Sequence, residues 1–500
     1  TDAALGLSMI HVMIEEGLYD RDFVARWCHG FEALRERAAQ FTPATAERHT
    51  GVPAADIVAA ARFYADGPST FVSGHGIDAF SAGVQTFRVF HCLVAISGNV
   101  DRAGGNRRGK MPKGFRDTLE VLHHPDFRLP LEIERQTIGA DRFPLWSGPE
   151  GWQTSCHNPS VINAILTGKP YPVRAMYVTG VNIVVTYPNT AKTVEALRSL
   201  DFLAVASDQM TPTAELADIV FPKTTALEEE DIRPISGPAI TYTYPAVLPQ
   251  GEARSDLDIA IPLIDRLAAR GALTRNFFRW RTQSEFMEYL LGDSGVTLAA
   301  LRKTGFVEFS FPLGDFETRP FRTKTGKVEL YSEKLAALGL DPLPGFTSPR
   351  NTASATALGD PFPLILLTGD RERTYHHSRF RDHAWAKKVS PDPRLLINPA
   401  TARALALPEN QWVRLETPDA AGSCRLRLKI TAATPEGVVS TGMGWWTPEA
   451  AAPEHGAFDL NINAAMTYDG PWDPMSGSAD TRGIRCRLIP TAAATVPIAS

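Results

Sequence analysis

Cysteine is scarce and scattered in this chain: five thiols in 500 residues (Cys28, Cys92, Cys156, Cys424 and Cys486), with no C-x-x-C pair and no histidine at metal-ligand spacing. Neither a disulfide framework nor a zinc or iron–sulfur site can be read from that pattern, so most of the thiols are expected to be buried. Long apolar runs are missing too. No stretch of about 18 apolar residues occurs, so no membrane span is expected, and no signal-peptide pattern is visible. Charge of one sign is also lacking: 51 basic residues face 56 acidic ones, a net charge of −5. No general attraction for nucleic acid or an anionic membrane follows, and any anionic ligand must be held by local groups.

What remains is ordinary globular material. With 44% apolar and 21% charged residues, the chain has the length of about three to four domains. It begins with Thr1 rather than Met, and TDAALGLSMIHVMIEEGLY places Leu7, Ile10, Ile14 and Leu18 at helical intervals. An amphipathic helix is expected there, in a chain read as lacking its beginning.

Residues 1–235 alternate helical and strand patterns, as in an α/β layer structure. TGVPAADIVAAARFYADG reads as a helix with Pro in its first turn and a glycine stop, STFVSGHG as a short buried strand, and GVQTFRVFHCLVAISGN as a second helix. Residues 104–170 are rich in Gly, Pro and charge, which suggests a long surface excursion. From VRAMYVTGVN through NTAKTVEALRSL to DFLAVASDQ the pattern is strand, helix, strand, the size of one right-handed βαβ unit. Residues 236–350 are mixed. From residue 361 onward CRLRLKI alternates strictly and WVRLE and GVVSTGM bracket it, so a compact β-rich domain is expected.

Several motifs compete for the chemistry. GGNRRGKM sets Gly104, Gly109 and Lys110 at phosphate-loop spacing, but Met111 stands where a magnesium-binding hydroxyl belongs. Gly74, Gly76 and Ala79 satisfy G-x-G-x-x-A, a spacing that permits close backbone approach to a diphosphate and that an ordinary turn also satisfies. His123–His124 and His376–His377 are sequence neighbours, an arrangement poorly suited to facing one metal. The acids Glu228, Glu229, Glu230 and Asp231 are consecutive; like charges so close favour a solvated loop over a metal site. Asp208 stands apart from them. It follows the second strand of the βαβ unit as Gly180 and Asn182 follow the first, at the sheet edge where α/β folds bind nucleotides. An acid there accepts hydrogen bonds from ribose or a purine edge, and Thr211 and Thr213 add hydroxyls.

These residues carry a family resemblance. TGVNIVVTYPN followed by SDQMTPTAELADIVFP resembles the G-x-N-P turn and the D-x-x-x-T-x-T-A-x-x-A-D-x-V-L-P segment of the molybdopterin oxidoreductases of the dimethyl sulfoxide reductase superfamily. TDAALGLSMIHVMIEEGLYDRDFV, LVAISGNVDRAGGN, LLTGDRERTYHHS, LLINPATARALAL, GWWTPE and NINAAMTYDGPWDPMSGSADTRGIRC are similar to further family segments in the same order, across essentially the whole chain. One departure is that Ile183 follows Asn182 where the family commonly has Pro.

The resemblance implies an α/β fold of nucleotide-binding Rossmann-like layers with a C-terminal double-psi-like β-barrel. Residues 1–150 would be part of one cofactor-binding α/β domain, and 151–235 a Rossmann-like segment of another. Residues 236–350 would be a mixed α+β segment of the iron–sulfur-proximal layer, and 361–500 the dinucleotide-binding barrel. The implied cofactor is molybdenum or tungsten held by two molybdopterin guanine dinucleotides. Gly180, Asn182, Asp208 and Thr211 would line one nucleotide, with the Gly74–Gly76 turn a lesser candidate. Thr368, Gly369, Arg371, His377 and Ser378 would contact pterin or diphosphate, with Asn463 and Arg482 nearby. The family's 4Fe-4S cluster and the residue that ligates the metal would lie before Thr1 or on a companion polypeptide, with an iron–sulfur electron-transfer subunit as a candidate partner. The implied activity is two-electron redox on a small substrate. WCHGFEALRERA and PAITYTYPAVLPQGEARSDLDIA resemble instead the acetylene-hydratase-like and hydroxytransferase branch, which moves water or hydroxyl groups. A cofactor-free scaffold subunit is a third reading, disfavoured by the retained D-x-x-x-T-x-T, TGD and HHS segments.

Overall fold

The computed structural model describes residues 1–151, 155–234, 238–273, 278–348, 360–418 and 422–492. The first layer is helical and is built around α1 (Asp2–Glu15), against which α2 (Ala54–Ala65) and α3 (Gly83–Ile96) pack. The helix expected at the start is present but is not a surface helix with one apolar stripe. Ala4, Leu7, Ile10 and Met13 are fully buried, Ala3, Met9 and Val12 nearly so, and the helix stops before Leu18, which is exposed. Gly6 permits the close crossing: a Cβ there would stand 2.6 Å from Val89 Cγ1 of α3. Each such aliphatic side chain contributes about 1.5–3 kcal/mol by leaving water.

The strand expected over STFVSGHG does not form. Val72 is exposed, and the backbone of Phe71 pairs with the side chain of Asn106, which accepts from its N–H and donates to its carbonyl. An amide side chain thus occupies the place of a neighbouring strand. The excursion after residue 104 contains short helices, among them Leu131–Glu134 and Asn158–Thr167, joined by turns.

The βαβ unit forms as expected. Strand β1 (Ala175–Thr179) is followed by a single helical turn, α4 (Ile183–Thr186), by α5 (Thr190–Arg198), and by β2 (Phe202–Ser207). β2 pairs in parallel with β1 on one side and with β3 (Ile219–Pro222) on the other. Asn189 caps α5 by accepting from Lys192 N. Ile183 occupies the first residue of α4, the helical position that best tolerates proline, so the turn keeps a helical start with either residue.

Next come β4 (Asp231–Pro234), β5 (Ala239–Thr243), α6 (Gln283–Leu291), α7 (Leu298–Thr304) and β6 (Phe306–Glu308), the three strands forming an antiparallel sheet. The chain then returns to the first layer, where residues 328–329 pair in parallel with 28–29. The rest is a closed six-stranded barrel of β7 (Leu364–Leu367), β8 (Arg394–Ile397), β9 (Trp412–Glu416), β10 (Ser423–Ile430), β11 (Val438–Thr441) and β12 (Ile484–Pro490). Around the barrel the order is β8-β10-β9-β12-β7-β11, with β8–β10 and β7–β11 parallel. Cys424, Leu426 and Leu428 alternate into its core, as the sequence pattern of β10 requires.

Candidate functional site

One end of the barrel gathers the segments after β7, before β8, after β11 and before β12. Against this mouth lies the carboxyl edge of the β1–β2–β3 sheet. Asn463 fastens the two: its Nδ2 donates to the carbonyls of Val185 (2.8 Å) and Thr186 (3.0 Å), while its own carbonyl accepts from Asn189 N. Asn461 adds a bond to the Val185 carbonyl. Among the residues expected to touch a ligand, Asn463 therefore holds the two walls together, and both its amide hydrogens are committed.

Thr368 and Arg482 meet on the barrel side. The Thr368 hydroxyl is buried and donates to the Thr481 carbonyl at 2.5 Å. Next to it, the Arg482 guanidinium lies directly on Gly369, where a Cβ would stand 2.9 Å from Cζ. A Cβ on Gly76 would be 3.4 Å from Nη1 of the same arginine, so the Gly74–Gly76 turn reaches this cation. The turn is held there by the 473–481 loop. Asp480 accepts from Ser81 N, Asp473 accepts from Val84 N, and Thr481 N donates to the Ala79 carbonyl. Arg482 Nε is buried without a hydrogen-bond partner.

The turn from His376 to Arg379 is closed by Arg379 N donating to the His376 carbonyl at 3.0 Å. His377 sits at its second position with φ +57°, a left-handed conformation that glycine adopts freely and other residues adopt at about 1–2 kcal/mol. Behind the turn, Arg381 is 4% exposed, stacked between the rings of Tyr375 (4.0 Å) and Trp445 (4.3 Å), and donates to the carbonyls of His377 and Gly444. Burial pulls its pKa down to about 10. In front, Arg371, Arg373 and Arg379 are exposed and have no carboxylate partner among the described residues. Partial burial, then His376, Arg371 and Arg379, hold the His377 imidazole below its ordinary pKa. Unpaired cations and an orphaned buried guanidinium N–H suit an anion of several oxygens, as a diphosphate is.

Asn182 and Ser378, 196 residues apart in sequence, bond directly: Asn182 Nδ2 donates to Ser378 Oγ at 3.0 Å. Trp446 Nε1 donates to the same oxygen at 3.2 Å, and Thr213 Oγ1 donates to Asn182 Oδ1 at 2.7 Å. Gly180 takes φ +72° at the end of β1, with open space where a Cβ would point. Asp208 is exposed after β2, and the following Gln209 donates to Asp382 of the barrel side. Thr211 is buried and its hydroxyl accepts from Ala214 N, so it shapes the loop behind Asp208.

The competing motifs resolve as structure. Lys110 Nζ is buried between Asp101 and Asp315, 2.7 Å from each, and no phosphate can reach it. The acidic block is not a freely solvated loop, because its members have specific partners. Glu228 accepts from the N–H groups of Thr225 and Gln250, Glu229 from Thr224, and Glu230 from Arg302, Ser284 and Tyr242. No cluster of three His, Cys, Asp or Glu side chains competent to hold a metal occurs among the described residues. Trp446, Arg381 and Arg379 escaped the sequence reading as individual residues, although GWWTPE and the stretch just after HHS pointed to their segments.

A family model described as molybdopterin oxidoreductase matches residues 1–266, and one for the molydopterin dinucleotide binding domain matches 364–484, which contains the mouth of the barrel. The chain belongs to the molybdopterin oxidoreductase family. It is 31% identical to the acetylene hydratase of Syntrophotalea acetylenica over 97% of this chain and 69% of that protein. It is 27% identical to the dopamine dehydroxylase of Eggerthella lenta over 92% of this chain and 52% of that one, and 26% identical to dimethyl sulfoxide reductase DmsA of Escherichia coli over 91% and 61%. The solved structure of acetylene hydratase from Pelobacter acetylenicus superimposes with a TM-score of 0.89 at 28% identity, covering 98% of this chain and 70% of that one. The α/β layers and C-terminal barrel are thus the fold of this molybdopterin family.

Proposed function

We propose that this chain forms the dinucleotide-holding walls of a molybdenum or tungsten enzyme with two molybdopterin guanine dinucleotides, and that the enzyme carries out two-electron redox on a small substrate. The observation that carries the cofactor part is the cationic barrel mouth, with Arg482 Nε buried and unpartnered over Gly369. Arg482, Arg371 and Arg379 would hold phosphate oxygens, Gly76 and Gly369 would let the diphosphate approach, and Asp208 would accept from a guanine edge. The bound metal supplies the electron chemistry; the chain's own residues bind, orient and screen charge. By the family likeness, the metal's protein ligand and any 4Fe-4S cluster would come from sequence outside these residues or from a companion chain; the five scattered thiols, with no C-x-x-C pair, form no cluster motif. An iron–sulfur electron-transfer subunit would be the redox partner. The relatives named as reductases support the redox reading.

A second reading is non-redox water addition, favoured by the likeness to acetylene hydratase along nearly the whole chain and in structure. Metal analysis together with guanosine monophosphate released on acid hydrolysis tests the cofactor. Two nucleotides and one molybdenum or tungsten per complete protomer support it, and neither in a folded, complete protein sinks it. Assays with artificial electron carriers against carrier-free hydration of acetylene then separate the two reactions.

A further inference from the structure

The bond between Asn182 and Ser378 belongs to a chain whose proton directions are set by its ends. Val184 N, a backbone amide that can only donate, bonds to Thr213 Oγ1 at 3.0 Å. Thr213 is fully buried, so its own hydroxyl hydrogen needs an acceptor, and the described residues offer it Asn182 Oδ1 at 2.7 Å. This fixes which way round the Asn182 amide lies, because the reverse orientation would leave the Thr213 hydrogen buried without an acceptor. The amide nitrogen therefore faces Ser378 and donates to it at 3.0 Å. From the barrel side the Trp446 indole N–H, again a group that can only donate, reaches the same oxygen at 3.2 Å.

A serine oxygen has two lone pairs and one hydrogen. At Ser378 both lone pairs face N–H groups, and no described residue accepts its hydrogen. We propose that Asn182 and Trp446 are positioning residues that force the Ser378 hydroxyl to act as a donor only, aimed at an anionic oxygen of the bound dinucleotide. This rests on the dinucleotide reading above and deepens it, because it reassigns Asn182 from a nucleotide contact to a group acting through Ser378. The surroundings fit such a ligand: Ser378 lies in the turn closed by Arg379, and Arg379 and Arg371 are exposed cations without a carboxylate partner among the described residues. A donor-only hydroxyl beside such cations discriminates against ligand groups that carry their own proton and favours phosphate oxygens.

The test is calorimetric titration of the 500-residue chain with guanosine diphosphate as the probe, alongside thermal melts. Ser378→Ala should weaken binding roughly ten- to hundredfold, the range for losing a hydrogen bond to a charged group. Ser378→Thr, which keeps the hydroxyl, should restore most of it. Trp446→Phe should weaken binding severalfold by freeing one lone pair, and should have no further effect in the Ser378→Ala background. Asn182→Ala should likewise lose its effect on affinity in that background, whatever it does to the melting temperature. Wild-type affinity in Ser378→Ala, or an undiminished effect of Trp446→Phe in that background, overturns the inference and leaves the dinucleotide reading standing. A folded wild-type chain that does not bind the diphosphate at all overturns both.

Discussion

Gly369 is where a single atom separates a working cation from a displaced one. An alanine Cβ there would stand 2.9 Å from the end of the flexible Arg482 side chain, which can swing away at little cost to the fold. Gly369→Ala should therefore leave stability within about 0.5 kcal/mol, as for an ordinary surface change. It should reduce the guanosine monophosphate recovered per chain several-fold. Equal nucleotide content in the variant would remove Arg482 from the site. Asp208→Ala should behave in the same two-part way, because the carboxylate is exposed and has no hydrogen-bond or ion-pair partner among the described residues whose loss would destabilise the fold. At this scale the sequence was partly legible. Asp208 and Gly180 could be placed from the strand ends, since a parallel sheet puts successive carboxyl ends side by side. The directed part of Asn182 could not, because its partner Ser378 is brought to it only when barrel and sheet dock.

Glu230 shows how an element is held by charge. Burial opposes ionisation of its carboxyl, but Arg302, then the hydroxyls of Tyr242 and Ser284, outweigh burial and hold its pKa below the ordinary carboxylate value. A depressed acid stabilises the fold while the pH stays above its unfolded pKa, and that contribution is lost as pH falls through the folded value. The link joins the start of β4 to α6, α7 and β5, so acidification should loosen this sheet. Glu230→Gln should be less stable than wild type near neutrality and show a flatter decline between about pH 4.5 and 3, where glutamate ordinarily titrates. Thermal melts across that range check it, and parallel curves would show that Glu230 contributes nothing. Strands β2 and β10 were visible in the sequence because each follows a burial rule, a continuous buried run in β2 and alternation in β10, and β1 was placed by its spacing to β2 through one helix. The segment STFVSGHG misled because its apolar look is the same whether a strand or an asparagine side chain meets its backbone.

For the whole molecule the decisive ties run between segments far apart in the chain. Lys110 lies between Asp101 and Asp315, with side-chain exposures of 5%, 0% and 8%, and so joins the end of the first helical layer to the segment that returns 200 residues later. Lys110→Met would leave two buried carboxylates facing each other with only the more distant Arg107 (3.8 Å from Asp101) and Arg319 (3.7 Å from Asp315) to offset them, a loss of up to about 3 kcal/mol, the lower end for a broken buried pair. Urea denaturation should show a lowered midpoint of that order, and an unchanged midpoint would mean that solvent reaches the site. Such ties were hidden from sequence reading, which saw Lys110 only as a phosphate-loop candidate. The cysteines lend the whole molecule one more property. Cys28, Cys92, Cys424 and Cys486 are buried, and burial raises the pKa of each thiol, to about 12 for Cys28 and Cys92, while Cys156 alone is partly open to solvent. Thiolates are the reactive form, so a small alkylating reagent at neutral pH should label one site in the native chain and five after unfolding. The chain thereby carries a built-in clock for its own opening, readable by mass without any added dye.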